Sequence, residues 1–237
     1  NNGTVELFNT DGVHLNTIPA GALPDMVTFT PDGNYLIVAN EGEPNDDYAI
    51  DPEGSVTVID TNNWLPETAD FSSFNGAKLK DVRIFGPEAT IAQDLEPEYI
   101  AVSADSRTAW ISLQENNALA KLDIASATIS DIYGLGYKKH RQSRNAFDAS
   151  NEDGGINIQQ WPTKGMYQPD AIVSYQRGNS EFILSANEGD ARDYDGFSEE
   201  VRVKDLSLDT KSFRKWNDIQ NEENLGRLKT TTANGDE

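Results

Sequence analysis

An internal repeat of about 73 residues limits the fold of this chain more than any other feature of its sequence. Three segments align, each with a proline near its start and a glutamate near its end. The prolines lie 73 and 72 residues apart: Pro24, Pro97 and Pro169. The glutamates lie 74 and 73 residues apart: Glu41, Glu115 and Glu188. Two markers that keep nearly the same period predict three copies of one structural unit.

Each unit has the residue pattern of short strands joined by tight turns. In the first unit, Val27 and Phe29 alternate with polar residues, and Pro31–Asn34 has the composition of a turn. An apolar strand follows, and a further strand over residues 54–60 ends in aspartate. This order of elements is typical of a propeller blade. We therefore predict an all-β fold, a β-propeller with YVTN- or WD-like blades and long loop insertions.

The repeat divides the chain into parts of a single propeller. Residues 1–22 are predicted to form the outer part of a preceding blade, followed by blade units at 23–94, 95–166 and 167–237, the last with a C-terminal extension. Residues 200–205 are predicted to be the third strand of the last unit. A ring of blades needs four to eight of them, so we expect an incomplete propeller, completed by remaining blades of a parent protein or by another chain. The predicted core comprises Val27, Phe29, Leu36, Val38, Ile100, Val102, Ile111, Ile172, Ile183 and Leu184.

Composition excludes several classes of function. The chain has 19 Lys and Arg against 40 Asp and Glu, a net charge of −21, which disfavours nucleic acid and anionic membrane surfaces as partners. The longest apolar run, Tyr35–Ala39, is far too short to insert into a membrane. The absence of cysteine excludes disulfides, thiolate zinc sites and iron–sulfur clusters, and two histidines exclude a multi-histidine metal centre.

Carboxylates occupy equivalent positions in the three units. One set ends equivalent strands and the other set begins them: Glu41, Glu115 and Glu188, and Asp25, Glu98 and Asp170. Neighbouring antiparallel strands would bring both sets to one rim, where confined carboxylates need a cation, an arginine or protons. Hard oxygen ligands without His or Cys favour calcium or magnesium over zinc. The alternative is that the repeated Asn-Glu-Gly sequence is turn chemistry, with carboxylates accepting main-chain hydrogen bonds.

The sequence Asn-Glu-Gly followed by an acidic residue occurs twice, at Asn40–Glu43 and Asn187–Asp190, and each copy opens an acidic insertion. Glycine there would let main-chain carbonyls join side-chain oxygens around a calcium ion. The insertions do not fit the EF-hand register, and the alternative for each is a solvated acidic loop. Ca²⁺ is thus the candidate cofactor, and no organic cofactor is expected. The predicted ligands are Glu41, Glu43, Glu115, Glu188, Asp190 and Asp193.

Several longer motifs resemble those of the choice-of-anchor I family, over roughly residues 20–230. The motifs are Asn40–Glu43, Leu95–Ile100, Asp148–Ile158, Gly165–Ile172 and Ala186–Tyr194. The family is similar to the mesenchyme-specific cell-surface glycoproteins of biomineralising animals, and its bacterial members are often labelled alkaline phosphatase. This chain has only part of the family's length. The resemblance implies an extracellular, periplasmic or cell-surface location and calcium handling.

Two functions follow from these observations. The first is a secreted or surface-associated, non-catalytic propeller domain that binds divalent cations and a partner or polymer. The alternative is a metal-dependent phosphoester hydrolase of alkaline phosphatase or phytase type, which would need two or three metals with a nucleophile or activated water. The sequence contains neither a Gly-x-Ser-x-Gly elbow nor a phosphate-binding Gly-rich loop, so no catalytic residue is assigned.

Overall fold

A computed structural model of the chain describes residues 2–214 and 218–233. The chain forms two compact units, each interrupted in sequence by the other. The first comprises Asn1–Gly136 and Tyr167–Asp190, and the second comprises Tyr137–Met166 and Ala191–Glu237. No helix in the described part of the chain is long and apolar enough to span a membrane.

Short antiparallel strands make up most of the regular structure. In chain order they are β1 (Asn2–Phe8), β2 (His14–Ala22), β3 (Pro24–Phe29), β4 (Tyr35–Asn40), β5 (Ser55–Asp60), β6 (Leu65–Asp70), β7 (Pro97–Val102), β8 (Thr108–Leu113), β9 (Ala118–Asp123), β10 (Thr128–Gly134), β11 (Lys138–Lys139), β12 (Phe147–Asp148), β13 (Ile158–Gln159), β14 (Lys164–Gly165), β15 (Pro169–Arg177), β16 (Ser180–Asn187), β17 (Glu200–Arg202) and β18 (Lys229–Thr231). The described α-helix is the single turn α1 (Ile91–Asp94), with 3-10 turns at Ser72–Phe74, Ser143–Asn145 and Val203–Asp205.

The first two repeats each form a four-stranded antiparallel sheet. The strand orders are β3-β4-β5-β6 and β7-β8-β9-β10, so that consecutive strands are neighbours throughout. The turn after β3 forms as expected, because Asp32 accepts a hydrogen bond from the Thr30 hydroxyl at 2.6 Å and from the Asn34 main-chain N–H at 3.1 Å. These sheets are propeller-type blades, and the predicted all-β class is confirmed.

The main core of the first unit includes residues of both four-stranded sheets. Residues of the central strands are fully buried in this core, among them Ile37 and Val56 of the first sheet and Ile111 and Leu122 of the second. Burying an aliphatic side chain of this size stabilises the fold by about 1.5–3 kcal/mol. Because the side chains of a β-strand point alternately to its two faces, the first blade has an apolar face, and the second blade covers it.

The predicted core is correct for five positions and wrong for three. Leu36, Val38, Ile100, Ile111 and Ile172 are buried, and Val102 and Ile183 are half-buried. Val27, Phe29 and Leu184 are instead 52%, 54% and 52% exposed. The strand pattern is present at these three residues, but little of the described chain packs on the sheet faces that carry them.

The third repeat departs from the predicted blade after its second strand. β15 and β16 form a two-stranded sheet. The predicted third strand, residues 200–205, lies in the second unit, where β17 pairs with β18 and Val203 is buried with Trp161, Ile219 and Leu225. The apolar residue Val203 of this segment therefore belongs to a core separate from that of the first unit.

In the part of the second unit that the structure describes, the strands form three short antiparallel pairs. β11 pairs with β14, β12 with β13, and β17 with β18, each over two or three residues. Most of its chain is turn and loop, in agreement with the insertion character of its sequence.

Candidate functional site

A β-bulge displaces the same acidic position in all three repeats. The strand registers shift between Pro24 and Met26, between Pro97 and Ile100, and between Pro169 and Ile172. Each shift falls on a carboxylate of the first strand: Asp25, Glu98 and Asp170. Bulges re-aim side chains and are common beside functional sites. The sequence signal is the repeated proline followed by an acidic residue.

The glutamates after β4 and β16 are held in equivalent ways. The main-chain N–H of Glu41 donates to the carbonyl of Leu23 at 2.9 Å, and that of Glu188 donates to the carbonyl of Gln168 at 3.2 Å. Leu23 and Gln168 both adopt positive φ angles, 50° and 42°. Left-handed backbone at non-glycine residues is uncommon, and here it recurs at the two equivalent positions whose carbonyls accept the main-chain N–H groups of the glutamates.

The asparagine of the first Asn-Glu-Gly copy has a structural role. Asn40 is fully buried, accepts the Gly21 N–H at 3.0 Å, and donates to the Thr57 hydroxyl at 2.9 Å. It therefore ties β4 to β5 and to the preceding hairpin. This role of an amide differs from the turn-chemistry alternative, which concerned carboxylates that accept main-chain hydrogen bonds. The adjacent Glu41 faces other acidic groups.

Burial and like charge raise the pKa of Glu41 to about 8. Loss of hydration is the larger cause, and the negative charges of Glu43, Asp25, Glu115 and Asp190 add to it. Residues from all three repeats therefore act on one carboxyl group.

The pKa of Glu98 is raised further, to about 10. Burial is again the larger cause, followed by the charges of Glu115, Glu41, Asp170 and Asp25. Burial and the charge of Asp170 also raise the pKa of Asp25. We call this group the carboxylate cluster: Asp25, Glu41, Glu43, Glu98, Glu115, Asp170 and Asp190.

Gln114 connects the cluster to Glu188. Its side chain is buried, and the amide orientation that satisfies its hydrogen bonds lets Nε2 donate to both carboxylate oxygens of Glu98, at 2.7 and 2.9 Å. In the opposite amide orientation, Nε2 donates instead to Oε2 of Glu188 at 3.4 Å. Gln168 similarly donates from Nε2 to the main-chain carbonyl of Asp190. Neither glutamine was singled out from the sequence, because a lone amide carries no motif.

A buried arginine near the carboxylate cluster was not predicted from the sequence. Arg83 is 2% exposed, donates from its guanidinium to the carbonyl of Glu115 at 2.6 Å, and lies 4.1 Å from the centre of the Phe85 ring. It belongs to the insertion after the first blade, outside the repeat alignment. Its contact with a loop of the second blade becomes evident only in three dimensions.

Of the six predicted ligands, the structure brings Glu41, Glu43, Glu115 and Asp190 into the cluster, with Glu188 adjacent through Gln114. Asp193 lies in the second unit, where it forms an isolated bridge with Ser198. Within residues 2–214 and 218–233, no three acidic or histidine side chains converge closely enough to hold a metal ion. The ligand assignment therefore stays a prediction.

The family model of the choice-of-anchor I domain matches residues 1–237. This chain belongs to the choice-of-anchor I family. Membership and the blade-type sheets together support a surface-associated domain of β-propeller type. Choice-of-anchor domains are typically found in secreted or cell-surface proteins, a general indication of location.

Two solved structures are similar to this choice-of-anchor I domain at low identity. Kuenenia stuttgartiensis hydrazine synthase has a TM-score of 0.35 and 15% identity, over 52% of this chain and 33% of that one. The dihydro-heme d1 dehydrogenase NirN in complex with DHE has a TM-score of 0.35 and 16% identity, over 81% of this chain and 35% of that one. The match thus spans about a third of each of those proteins. A search of curated protein sequences returned no match.

Proposed function

We propose that this choice-of-anchor I domain is a non-catalytic binding module of a secreted or cell-surface protein, and that it binds calcium at the carboxylate cluster. The observation that carries the proposal is the shared bulge. In all three repeats the strand register shifts at an acidic residue, namely Asp25, Glu98 and Asp170. The charges of Asp25, Asp170 and the glutamates after the second strands of the first two repeats act together on Glu98. A structural turn would need no acidic residue at the bulge in every repeat.

Electrostatics support a cation as the ligand. Burial, and after it the negative charges of the neighbouring carboxylates, opposes ionisation of Glu41 and Glu98 and raises their pKa values. A divalent cation would remove this repulsion and let the carboxylates ionise, whereas an anionic ligand would increase it. Oxygen-only ligands favour calcium or magnesium, and the larger, more flexible coordination of calcium suits side chains from separate strands.

The arrangement predicts weak rather than tight binding. Because no three described carboxylates converge on one point, the ion would use few of them at once, with water and main-chain carbonyls completing its coordination. Calcium sites of extracellular modules have dissociation constants on the order of 10⁻⁴–10⁻³ M. That range matches calcium concentrations outside cells better than those inside.

Thermal unfolding in EDTA and in calcium tests the proposal. At ten times its dissociation constant, calcium that binds only the folded state adds roughly 1.4 kcal/mol to the free energy of unfolding. We expect the melting midpoint to rise with calcium in the wild type. Glu41→Gln should lose most of this increment, whereas Glu67→Gln, an exposed acidic residue on β6, should keep it. A wild-type midpoint that does not change with calcium at matched ionic strength would contradict the proposal.

The phosphoester hydrolase stays an untested alternative. It can be assayed directly by turnover of a phosphomonoester with calcium, magnesium or zinc against an EDTA control. The binding proposal expects no turnover above that control. Metal-dependent turnover that Glu41→Gln abolishes would replace the binding module with the hydrolase.

A further inference from the structure

Positive charge is concentrated in one segment of the second unit. Four of the chain's 19 lysines and arginines lie within seven residues: Lys138, Lys139, Arg141 and Arg144. No aspartate or glutamate occurs over residues 132–147 or 154–169, although the chain has 40 of them. Lys164 lies in the second of these stretches. We call the four residues, together with Lys164, the basic patch.

The short hairpin of β11 and β14 places two lysines of the basic patch side by side. Lys139 is the partner of Lys164 in this antiparallel pair. Directly opposite residues lie on the same face of a sheet, and like charges there destabilise the pairing. Nζ of Lys164 also lies 5.5 Å from the centre of the Tyr137 ring. The stability of the hairpin therefore does not explain why both positions are lysine.

The loop that carries the two arginines of the basic patch is closed by its own hydrogen bonds. Nδ1 of His140 donates to the carbonyl of Asn145 at 2.6 Å, and the Asn145 amide donates to the carbonyl of Lys139 at 3.1 Å. The His140 ring lies 4.3 Å from the ring of Phe147, which packs against the small core of the second unit. Because the loop is ordered in this way, a ligand would order little of its main chain on binding.

Other cations of the second unit have carboxylate partners. Nζ of Lys204 lies 2.8 Å from Oε1 of Glu222. Lys229 pairs in the same way with Glu200. In the described part of the second unit, no carboxylate forms an ion pair with the four cations of segment 138–144, which are all exposed. The positive charge of the basic patch is therefore presented to solvent and is not neutralised within its own unit.

We propose that the basic patch binds the anionic groups, carboxylates or sulfates, of a linear polysaccharide. Arginine guanidinium groups bind such planar or multi-oxygen anions with paired hydrogen bonds, and the lysines add point charges. Gln142 and Ser143, which are exposed in the same loop, offer hydrogen bonds to sugar hydroxyls. The site lies wholly in the second unit, whereas the carboxylate cluster lies in the first, so the two binding functions are independent.

The net charge of −21 favours a narrow ligand over a broad one. A DNA duplex or an anionic membrane would extend beyond the basic patch and meet the negative charge of the rest of the chain. At 0.15 M ionic strength, charges more than about 8 Å away are largely screened. A single polysaccharide chain therefore responds mainly to the cations that it contacts.

Isothermal titration calorimetry in EDTA tests the proposal, because EDTA removes calcium and with it any contribution of the carboxylate cluster. The probes are a sulfated heparin octasaccharide, a carboxylated galacturonate octasaccharide and neutral dextran. We expect the wild type to bind at least one anionic probe in 0.05 M NaCl, which assigns the anionic group, and not to bind dextran. Affinity should fall at least fivefold in 0.15 M NaCl as counterion release becomes less favourable. Failure of both anionic probes in 0.05 M NaCl would overturn the proposal.

Two variants of equal charge separate the basic patch from a general charge effect. The patch variant removes its four neighbouring cations: Lys138→Gln, Lys139→Gln, Arg141→Gln and Arg144→Gln. The control variant removes the same charge from exposed positions of the first unit: Lys78→Gln, Lys80→Gln, Arg107→Gln and Arg177→Gln. We expect both variants to keep the wild-type circular dichroism spectrum, and only the patch variant to lose at least tenfold in affinity.

Three results would contradict the polysaccharide assignment. Equal loss of affinity in the two variants would show that binding depends on overall charge. Binding of a single-stranded DNA 20-mer as tightly as the better octasaccharide would replace the polysaccharide with nucleic acid. Equally tight binding of vesicles that contain phosphatidylglycerol would replace it with a membrane surface.

Discussion

At the scale of single residues, burial among like charges decides how the acidic side chains behave. Folding raises the pKa of Glu41 from 4.5 to about 8, so the folded state holds this proton more tightly than the unfolded state does. The resulting stabilisation is fully present below about pH 4.5 and is lost as the pH rises through 8. Glu41→Gln should therefore raise the melting midpoint at pH 9 in EDTA and change it little at pH 4. A lower midpoint at pH 9 would show that ionised Glu41 stabilises the fold.

The glycines of the two Asn-Glu-Gly copies offer a second residue-scale prediction. Gly42 and Gly189 both have positive φ angles, 70° and 90°. A Cβ atom at Gly42 would lie 2.9 Å from the main chain of Glu53, whereas one at Gly189 would meet nothing within 4 Å. Either substitution by alanine should cost about 1 kcal/mol for the left-handed backbone, and Gly42→Ala should cost more because of the steric contact. Urea unfolding of the two variants gives the comparison, and equal costs would contradict it.

At the scale of elements, a buried asparagine joins the insertion after the first blade to the second blade. Asn116 is fully buried and donates to the main-chain carbonyls of Arg83 and Asp94 at 2.9 and 2.7 Å. Asn116→Ala leaves those carbonyls without this donor, and we expect a loss of about 2–4 kcal/mol in the free energy of unfolding. Asn62→Ala, in the exposed turn after β5, should cost less than about 1 kcal/mol. Urea unfolding of both variants measures the difference, and similar costs would contradict the assignment.

The strands of this fold could be predicted from the sequence better than the packing and the long-range contacts around them. Period-2 alternation and turn residues are local, so the strands of the first two blades could be predicted. The period of the repeat also predicted which carboxylates occupy equivalent positions in the three units. Exposure of Val27 and Leu184 depends on what covers a sheet face, and a local pattern does not contain that information. The pairing of residues 200–202 with 229–231 and the contact of Arg83 with Glu115 are likewise long-range.

At the scale of the whole molecule, the net charge of −21 should make stability depend on salt. Self-repulsion among solvent-exposed charges weakens as ionic strength rises. We expect the melting midpoint in EDTA to increase between 0.01 M and 0.5 M NaCl, by a similar amount in the wild type and in Glu67→Gln. A midpoint that falls with salt would show that attractive ion pairs outweigh the repulsion. Because of this general effect of salt, the melting midpoints with and without calcium must be compared at matched ionic strength.

Equilibrium dialysis with radioactive calcium tests the central claim most directly, because it counts bound ions without relying on stability or oligomeric state. In 0.15 M KCl, we predict at least one calcium ion per chain with a dissociation constant on the order of 10⁻⁴–10⁻³ M. Glu41→Gln combined with Glu188→Gln should weaken this binding at least tenfold, whereas Glu67→Gln combined with Glu181→Gln, which removes two acidic groups outside the carboxylate cluster, should leave it unchanged. Equal weakening by the two double variants would show that calcium is only a diffuse counterion, and the cluster would then hold no calcium site.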